Sequence, residues 1–416
     1  MGWLIDLIPL DYSDAVVVLA AMLLGITAGA VGVLAVLRQR SLVGDALSHA
    51  ALPGVCIAFI VTGAKDATTL LAGAALAGLV GALLMVGIER TGRIRPDAAI
   101  GVVLASFFSL GIVLLTYIAS TDNSNQAGLE KYLFGQAAGL LERDVAVMGV
   151  LALVALTLVA VGFRAVKTTL FDPAFAGAVG LPVRALEIAM TALLVIAIVI
   201  GLRMVGAILM VAMLVAPAVA ARQFAGRLAL VIPLAGAIGA AVGVSGALLA
   251  SRAEVPTGPV IVLVAVGCVV VSVLVAPRRG VLWRARRLAR DRRRILAEGV
   301  LVDLETAIHA GPPLTAAELA LASARPARAL RRALRDLDRA GMLDRDGERL
   351  YLSRPGAAAA HAVLERRDLW AAWLEHGPAL GVPDAREPDP TDLRASLGDE
   401  YADRLHALMR AAERSP

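Results

Sequence analysis

An acidic residue and a histidine lie four positions apart in an otherwise apolar stretch of this sequence. Residues 42–54 read Leu-Val-Gly-Asp-Ala-Leu-Ser-His-Ala-Ala-Leu-Pro-Gly, which places Asp45 and His49 on one helical face with Ser48 beside them. A carboxylate inside a membrane costs about 2.5 to 3.5 kcal/mol, so we expect it to face the bundle interior or water and to have a partner. Carboxylate oxygen with imidazole nitrogen suits Mn, Fe or Zn ions better than Mg or Ca. The spacing therefore predicts a transition-metal site at Asp45 and His49.

Two simpler interpretations of this pair are open. The two side chains could merely satisfy each other, or they could cap the helix near the inner headgroups. The cost of charge inside the membrane favours a functional role. Cysteine ligands are scarce, because Cys56 and Cys268 are the only two and both lie in apolar runs. A metal site in this chain is therefore expected to use oxygen and nitrogen.

A second feature is the segment 171–182, which reads Phe-Asp-Pro-Ala-Phe-Ala-Gly-Ala-Val-Gly-Leu-Pro. Asp172 is a typical N-cap, and Pro173 has the backbone angle of a first helical turn. Gly180 can end the helix two turns later. The segment predicts a short amphipathic helix at the membrane surface, although an ordinary connector between two spans has the same pattern.

Several enzyme motifs are missing from the sequence. It contains no Gly-x-x-x-x-Gly-Lys-Ser/Thr phosphate loop, so we expect no ATPase in this chain. It also lacks His-Glu-x-x-His, Gly-x-Ser-x-Gly and Cys-x-x-Cys. These absences favour a protein that is not an enzyme.

The composition indicates the structure that must position these residues. Of 416 residues, 58% are hydrophobic and 18% charged, and the mean hydropathy is +0.76, which is typical of membrane proteins. The 39 glycines fit helices that pack closely in lipid. Nine apolar stretches approach spanning length, at residues 15–37, 43–61, 70–88, 98–118, 145–161, 186–200, 205–221, 228–250 and 260–275. Because several are short, the count could be eight or ten. The predicted class is an all-α polytopic membrane protein with about eight or nine spans.

The distribution of cations predicts the orientation of these spans. Clusters follow the odd-numbered spans, at Arg38 and Arg40, Arg90, Arg93 and Arg95, Arg164 and Lys167, Arg222 and Arg227, and Arg278 and Arg279. The even-numbered connections carry mostly single cations, at Lys65, Arg203 and Arg252, with one pair at Lys131 and Arg143. By the positive-inside rule, the N-terminus is then outside and the C-terminus in the cytoplasm.

The composition changes abruptly after residue 277. Residues 278–294 contain nine arginines, which favours a stop-transfer segment at the lipid headgroups over a nucleic-acid arm. Residues 295–356 predict three helices, of which the second is capped by Thr315 and the third spans residues 326–342, and then a hairpin that turns at Asp346-Gly347. This is the order of a winged helix (α+β). Residues 357–416 predict further helices. The expected domains are thus a transmembrane domain, 1–277, the basic segment, 278–294, and two small cytoplasmic regions, 295–356 and 357–416.

Residues 38–54 resemble the permease subunits of bacterial ABC importers for manganese, zinc and iron, known as the ABC-3 type. Further matching stretches are residues 132–135, 171–183 and 205–218, and the resemblance extends over about 17–275. It implies that Asp45 and His49 coordinate the transported metal, and that no cofactor is permanently bound. It also implies that residues 171–181, with Phe171, Asp172, Phe175, Gly180 and Leu181, form the helix that couples to the ATPase.

The same resemblance implies partners and a location. We expect a second permease copy or a related subunit, separate cytoplasmic ATP-binding subunits, and an extracytoplasmic metal-binding lipoprotein. The location is the bacterial cytoplasmic membrane.

The C-terminal region resembles metalloregulators of the diphtheria-toxin-repressor type. Arg394 and Ala395 stand where that family has two metal ligands, and Arg cannot bind a cation because it has no lone pair to give. The resemblance therefore implies that the usual regulatory site is lost, although Asp303, His361, Glu375 and His376 could form another one. The third helix and the residues before it are rich in arginine and could contact nucleic-acid phosphates. These arginines are Arg325, Arg328, Arg331, Arg332, Arg335 and Arg339. We nevertheless expect a dimerisation or regulatory module rather than nucleic-acid binding.

Three other functions remain open at this point. A permease for a chelated metal or vitamin would need a wider path without inward ligands. A membrane-anchored, metal-responsive transcription regulator would use the winged helix on a promoter. Proton-driven secondary transport would need no ATPase partner.

Overall fold

The computed structural model describes residues 11–38, 42–63, 66–120, 135, 137–202, 204–277, 280–312, 314–377, 388–389 and 392–412. Residues 132–134 of the matching stretch 132–135 lie outside the described residues. So do several of the cations from which the orientation was predicted: Arg40, Lys65, Lys131, Arg203, Arg278 and Arg279. The chain forms two compact units, Met1–Arg284 and Ala285–Pro416.

In the part of the chain that the structure describes, the first unit contains eleven α-helices: α1 (Tyr12–Leu37), α2 (Leu42–Thr62), α3 (Ala67–Arg90), α4 (Pro96–Ser120), α5 (Glu142–Val161), α6 (Phe163–Phe171), α7 (Pro173–Ala178), α8 (Val183–Leu202), α9 (Ala207–Phe224), α10 (Leu228–Ala253) and α11 (Thr257–Val275). Within the described residues, all but α6 and α7 are long and apolar enough to cross a membrane. Helices satisfy every backbone hydrogen bond internally, which lipid requires. The prediction of a helical membrane protein with about nine spans is confirmed.

Helix α1 lies at the centre of this bundle and packs along α10. The two backbones touch where Gly25 meets Gly239. A Cβ added to Gly25 would lie 2.0 Å from the Gly239 carbonyl oxygen, so no larger residue fits without moving a helix. Small residues at a helix crossing permit this close approach. Because the hydrophobic effect does not drive helices together inside lipid, dispersion contacts between the two backbones stabilise the pair instead.

Helix α2 is the second buried helix of the unit. It packs against α3, α4, α8 and α9, and most of its residues from Val43 to Phe59 are buried. Pro53 lies inside it and has no N–H for the carbonyl of His49, four residues earlier. The residues predicted to bind metal thus lie on a mostly buried helix, near a turn that lacks one backbone hydrogen bond, and their own side chains are partly exposed.

The second unit holds most of α12 (Val281–Ala310), followed by α13 (Ala316–Ala322), α14 (Ala327–Arg339), β1 (Leu343–Asp346), β2 (Arg349–Leu352), α15 (Arg354–His376), α16 (Leu393–Leu397) and α17 (Asp399–Ala412). The strands pair antiparallel, with Leu343 opposite Leu352 and Asp346 opposite Arg349. Gly347 makes the turn with a φ of +65°. Leucines from the helices and the hairpin form one core, among them Leu304, Leu334 and Leu350.

The order of three helices and a hairpin agrees with the prediction from sequence. Thr315 caps α13 as expected, and its partner Glu318 completes a capping box. Helix α14 ends at Arg339 rather than at residue 342, because Gly341 takes a φ of +67° that a helix cannot contain. The chain then turns directly into β1.

Candidate metal site

Asp45 and His49 lie on adjacent turns at the start of α2. Asp45 Oδ1 and His49 Nε2 are 3.5 Å apart, and their side chains are 31% and 15% exposed. Two ligands about 2.1 Å from one tetrahedral metal ion are about 3.4 Å apart. The two atoms are too far apart for a good hydrogen bond, yet they have the separation of two ligands that share an ion. This separation would suit a transition-metal ion held between the two side chains.

The other imidazole nitrogen of His49 is buried as well. Nδ1 has no hydrogen-bond partner in the part of the chain that the structure describes. Buried polar atoms normally have partners, and in metal sites the second histidine nitrogen usually donates to a carboxylate or carbonyl. The His49 ring is held differently, since the ring of Phe108 on α4 meets it edge-on with centroids 4.8 Å apart and an interplanar angle of 77°. Sequence reasoning missed Phe108, which is one of many apolar residues on α4.

Ser48 does not contribute its hydroxyl to the pair. The Oγ atom is buried and donates to the Gly44 carbonyl at 2.7 Å, a bond within the helix. Pro53 deprives the His49 carbonyl of its usual helical donor, which leaves this oxygen free of that hydrogen bond. Across the described ranges, no group of three or more His, Cys, Asp or Glu side chains could hold a metal ion. One copy of the chain therefore offers two side-chain ligands at this position.

The surface helices α6 and α7 form the second candidate feature. Asp172 caps α7 by accepting a hydrogen bond from the Phe175 N–H at 2.9 Å. Gly180 has a φ of +84°, and the N–H groups of Gly180 and Leu181 bond to the carbonyls of Gly177 and Ala176, which closes the helix as a Schellman motif. The predicted short helix and both of its ends are confirmed.

The outer face of this segment is apolar. Phe171, Phe175 and Val179 follow one another at four-residue spacing and are 67%, 57% and 61% exposed. They do not lie on one continuous helix, because Phe171 ends α6, the backbone leaves the helical conformation at Asp172, and Val179 follows the end of α7. Three exposed hydrophobic side chains so close in sequence are typical of a surface that binds another protein.

The second unit does not bring together the four residues that, from the sequence, could have formed another metal site. Asp303 accepts a hydrogen bond from Arg325 Nε at 2.7 Å, and His361 Nε2 lies 3.0 Å from the buried carboxylate of Glu305. His376 is near only the neighbouring Glu375, at 4.0 Å. The described residues contradict that possibility, because each helix turns these side chains toward a different partner.

The arginines of this unit divide into paired and unpaired ones. Arg394 forms ion pairs with Asp399 and Asp403 at 3.5 and 2.9 Å, so a cation already neutralises these acids. Arg325 is held by Asp303. On α14, four exposed arginines line one shallow groove of about 430 Å³: Arg328, Arg331, Arg332 and Arg335.

Comparison with known proteins follows this division of the chain. Residues 14–276 match the profile of the ABC 3 transport family. The chain is 45% identical over 283 residues to the zinc transport system membrane protein TroC of Treponema pallidum, covering 67% of this chain and 95% of that protein. It is 37% identical over 406 residues to the manganese transport system membrane protein MntC of Bacillus subtilis, covering 96% and 92%. That second alignment covers 406 residues and therefore includes the C-terminal unit.

Solved structures give the same result. PsaBC from Streptococcus pneumoniae in complex with Fab matches with a TM-score of 0.57 and 33% identity, over 66% of this chain and 94% of that one. An inward-facing conformation of a putative metal-chelate type ABC transporter shares the fold, with a TM-score of 0.50 and 16% identity over 62% of this chain and 84% of that one. The profile match and the two relatives agree with the helical bundle. The chain belongs to the ABC 3 transport family of multi-pass membrane permeases.

Proposed function

We propose that this protein is the membrane-spanning subunit of an ABC importer that carries a divalent transition metal, Mn, Zn or Fe, into the bacterial cytoplasm. The observation that carries the proposal is the Asp45–His49 pair, whose atoms are 3.5 Å apart on a mostly buried helix. The names of relatives that move zinc and manganese support the same substrate class. An ion bound by two side chains and weaker ligands is held modestly, as a transported ion must be in order to leave.

The energy for transport comes from a separate cytoplasmic ATP-binding subunit. The sequence has no phosphate loop, and the group formed by Phe171, Phe175 and Val179 offers an apolar contact surface next to α8. Asp172, Gly180 and Leu181 fix the ends of that helix. Replacing Phe175 with Glu should weaken ATPase binding, whereas Leu141→Glu, on a residue 69% exposed elsewhere in the unit, is the matched control.

Two further partners complete the importer. A second permease copy or a related subunit supplies the ligands that one chain lacks, because a transition metal takes four or more ligands and a single pair gives two. An extracytoplasmic lipoprotein delivers the ion. Chemical cross-linking in native membranes tests both partners.

Metal uptake into proteoliposomes that contain the permease and its ATPase tests the main proposal. We expect Asp45→Ala and His49→Ala to abolish uptake of the bare ion while the complex still assembles and hydrolyses ATP. Ser48→Ala is the control, because its hydroxyl is bonded within the helix. Unchanged uptake in the first two variants would contradict the proposal. Uptake of only a chelate would favour a chelate permease, and uptake without ATPase would favour secondary transport.

We infer that the C-terminal unit is a cytoplasmic regulatory module, with a winged helix at 295–356 and a helical region at 357–416 after the basic segment 278–294. Its resemblance to metalloregulators and the MntC alignment that includes it support this assignment. The permease domain is then 1–277. Deleting residues 295–416 should leave uptake active and remove its response to cellular metal. If the deletion changes transcription of a promoter and leaves transport regulation intact, the transcription-regulator alternative is favoured.

A further inference from the structure

Helix α14 carries four arginines on one exposed face. They are spaced by three and four residues, so they lie on the same side of the helix. Together they line a shallow groove of about 430 Å³, here called the arginine groove: Arg328, Arg331, Arg332 and Arg335. Among the described residues that line it, none is acidic. Like charges at this spacing repel one another, so an anion in the groove would stabilise the helix.

The arginine groove has no counter-charge of its own. None of its four arginines forms an ion pair with any described residue. Acids elsewhere in the unit are already held by other arginines, since Asp303 lies 2.7 Å from Arg325 and Asp403 lies 2.9 Å from Arg394. The described part of the chain therefore leaves the groove without a partner of opposite sign.

Two of the guanidinium groups are oriented by the helix itself. Arg331 Nε donates to the Ala327 carbonyl at 3.3 Å, and Arg335 Nε donates to the Arg331 carbonyl at 3.2 Å. The Nη atoms of both residues have no partner among the described residues. A guanidinium presents its N–H groups as a planar fork that matches two phosphate oxygens. Because two forks are already held in place, less conformational entropy is lost when a phosphate binds.

The arginine groove has the size of a small-molecule site. Arg335 lies seven positions after Arg328, which corresponds to about 10 Å along the helix axis. A volume of about 430 Å³ lies in the range of ligand pockets. The described lining offers guanidinium groups and no aromatic side chain on which a base could stack. The ligand that fits is therefore compact and is recognised by its phosphates.

The chain that follows the groove disfavours an extended polyanion. Residues 336–349 contain five acids and three arginines, and the hairpin within them packs against α14. Three of these acids are exposed on the hairpin: Asp344, Asp346 and Glu348. Even a single DNA-binding module buries about 600 to 1,000 Å², so a duplex would extend past the four arginines and meet this net negative charge. A compact anion avoids it.

We propose that the arginine groove binds a compact polyphosphate, which is a small anion with two or more linked phosphate groups. Such groups occur in nucleoside triphosphates and in free inorganic polyphosphate, and both sources offer the same oxygens to the four forks. A second copy of α14 fits less well, because two copies would bring eight arginines together, four from each.

Titration calorimetry of the full-length protein measures this binding. The protein is held in phosphatidylcholine nanodiscs in metal-free buffer, and inorganic triphosphate is the probe. We expect saturable binding at one site per chain. Orthophosphate should bind about tenfold more weakly or worse, because a single phosphate cannot reach several forks. Equal affinity for orthophosphate, or no saturable binding of triphosphate, would overturn the proposal.

ATP distinguishes the two sources of polyphosphate. The chain has no phosphate loop, so we expect no second nucleotide site in it. An affinity for ATP equal to that for triphosphate supports a nucleotide as the natural ligand. Much weaker binding of ATP supports inorganic polyphosphate, because the nucleoside then does not fit beside the groove.

Matched variants locate the site. Replacing Arg331 and Arg332 with Gln should raise the Kd for triphosphate by about tenfold or more, since hydrogen bonds between charged groups are the stronger ones. Replacing both with Lys should also raise it, because Lys keeps the charge but has no planar fork. Arg286→Gln with Arg287→Gln is the control, which removes the same charge from exposed positions on α12 and should leave the Kd unchanged. Equal losses in the two Gln variants would mean nonspecific attraction and overturn the proposal.

Nucleic acid predicts a different result. If a short DNA duplex displaces triphosphate and binds more tightly than it does, the arginine groove is a nucleic-acid surface and the proposal is overturned. None of these measurements depends on the transported ion. A failure of anion binding and a failure of metal uptake are therefore separate results.

Discussion

Arg38 donates a hydrogen bond from Nη2 to Oε1 of Glu187 at 3.1 Å, and so joins the end of α1 to the beginning of α8. The two side chains are 16% and 37% exposed. Arg38 precedes the helix that carries Asp45 and His49, whereas Glu187 follows the surface helices α6 and α7 after a short link. Helix α8 contacts α1, α2, α6 and α7. The ion pair therefore connects the surface helices with the chain that enters the candidate metal site.

Reversing one charge of this pair should uncouple transport from ATP hydrolysis, if the proposed function is correct. We expect Arg38→Glu to lower the number of ions moved per ATP by about threefold or more, since partly buried charge pairs couple by about 0.5 to 3 kcal/mol. The double swap Arg38→Glu with Glu187→Arg should restore most of the ratio. Uptake and ATP hydrolysis are measured in the same proteoliposomes.

The control for this prediction is an exposed ion pair of the C-terminal unit. Arg404 and Glu400 are 2.7 Å apart and more than half exposed. Such pairs contribute about 0 to 1 kcal/mol, so reversing Arg404 should leave the ratio unchanged. If Arg38→Glu lowers uptake and ATP hydrolysis equally, the pair has only a structural role.

Removing the ring of Phe108 should weaken metal binding without changing the ligands. Edge-to-face contacts contribute about 0.5 to 1.5 kcal/mol, so Phe108→Leu should raise the KM for the ion by about 2- to 10-fold. The maximal rate should change little. Tyr117→Leu, on the same helix, is the matched control, because Tyr117 is 59% exposed. An unchanged KM in the Phe108 variant would show that the ring does not position His49.

Enlarging Gly239 should separate the two most closely packed helices. A Cβ at this position would lie 2.0 Å from the Gly25 carbonyl oxygen, and overpacking costs about 1 to 3 kcal/mol. We expect Gly239→Ala to lower the melting temperature of the purified protein. Gly267→Ala on α11 is the control, because a Cβ there meets nothing within 4 Å and alanine favours a helix. Equal melting temperatures would contradict the close contact.

Acid should weaken the start of α13 through Glu318. The N–H and hydroxyl of Thr315 bond to this carboxylate and hold its pKa below the ordinary value. A lowered folded-state pKa means that the stabilisation is present above the unfolded pKa of 4.5 and disappears as the pH falls through the folded value.

Hydrogen exchange in the full-length protein measures this effect. At neutral pH, the amides of Ala316–Ala322 should exchange faster in Glu318→Gln than in the natural protein. At a pH below the lowered pKa of Glu318 both should exchange alike, because the carboxylate is protonated there. A difference that persists in acid would mean that Glu318 acts through something other than its charge.

The spans could be predicted because few structures other than a transmembrane helix can accommodate an apolar run that is long enough to cross lipid. The caps at Asp172 and Thr315 could also be predicted, because in each of them a side-chain oxygen accepts a hydrogen bond from a backbone N–H close by in the sequence. The observed ends differ by a few residues, since polar groups such as those of Tyr12 extend a helix beyond its apolar part.

The contacts around the metal pair could not be predicted. Sequence spacing brought Asp45 and His49 together, but it placed Ser48 beside them without showing that its hydroxyl bonds to Gly44. The meeting of His49 and Phe108 depends on how α2 and α4 are rotated against each other, and no periodicity in α4 encodes that rotation. The same reason explains why His361 contacts Glu305 instead of the other predicted ligands.

The seam between α1 and α10 also determines which parts of the bundle can move. Backbone meets backbone at three levels, where Gly25 faces Gly239, Gly29 faces Ala235 and Gly243 faces Ala21. If α1 slid along α10 by one residue, a carbonyl oxygen would clash with a Cβ atom at each of these three contacts. The two helices must therefore move as one rigid pair. Any conformational change during transport must then leave α1 and α10 fixed to each other.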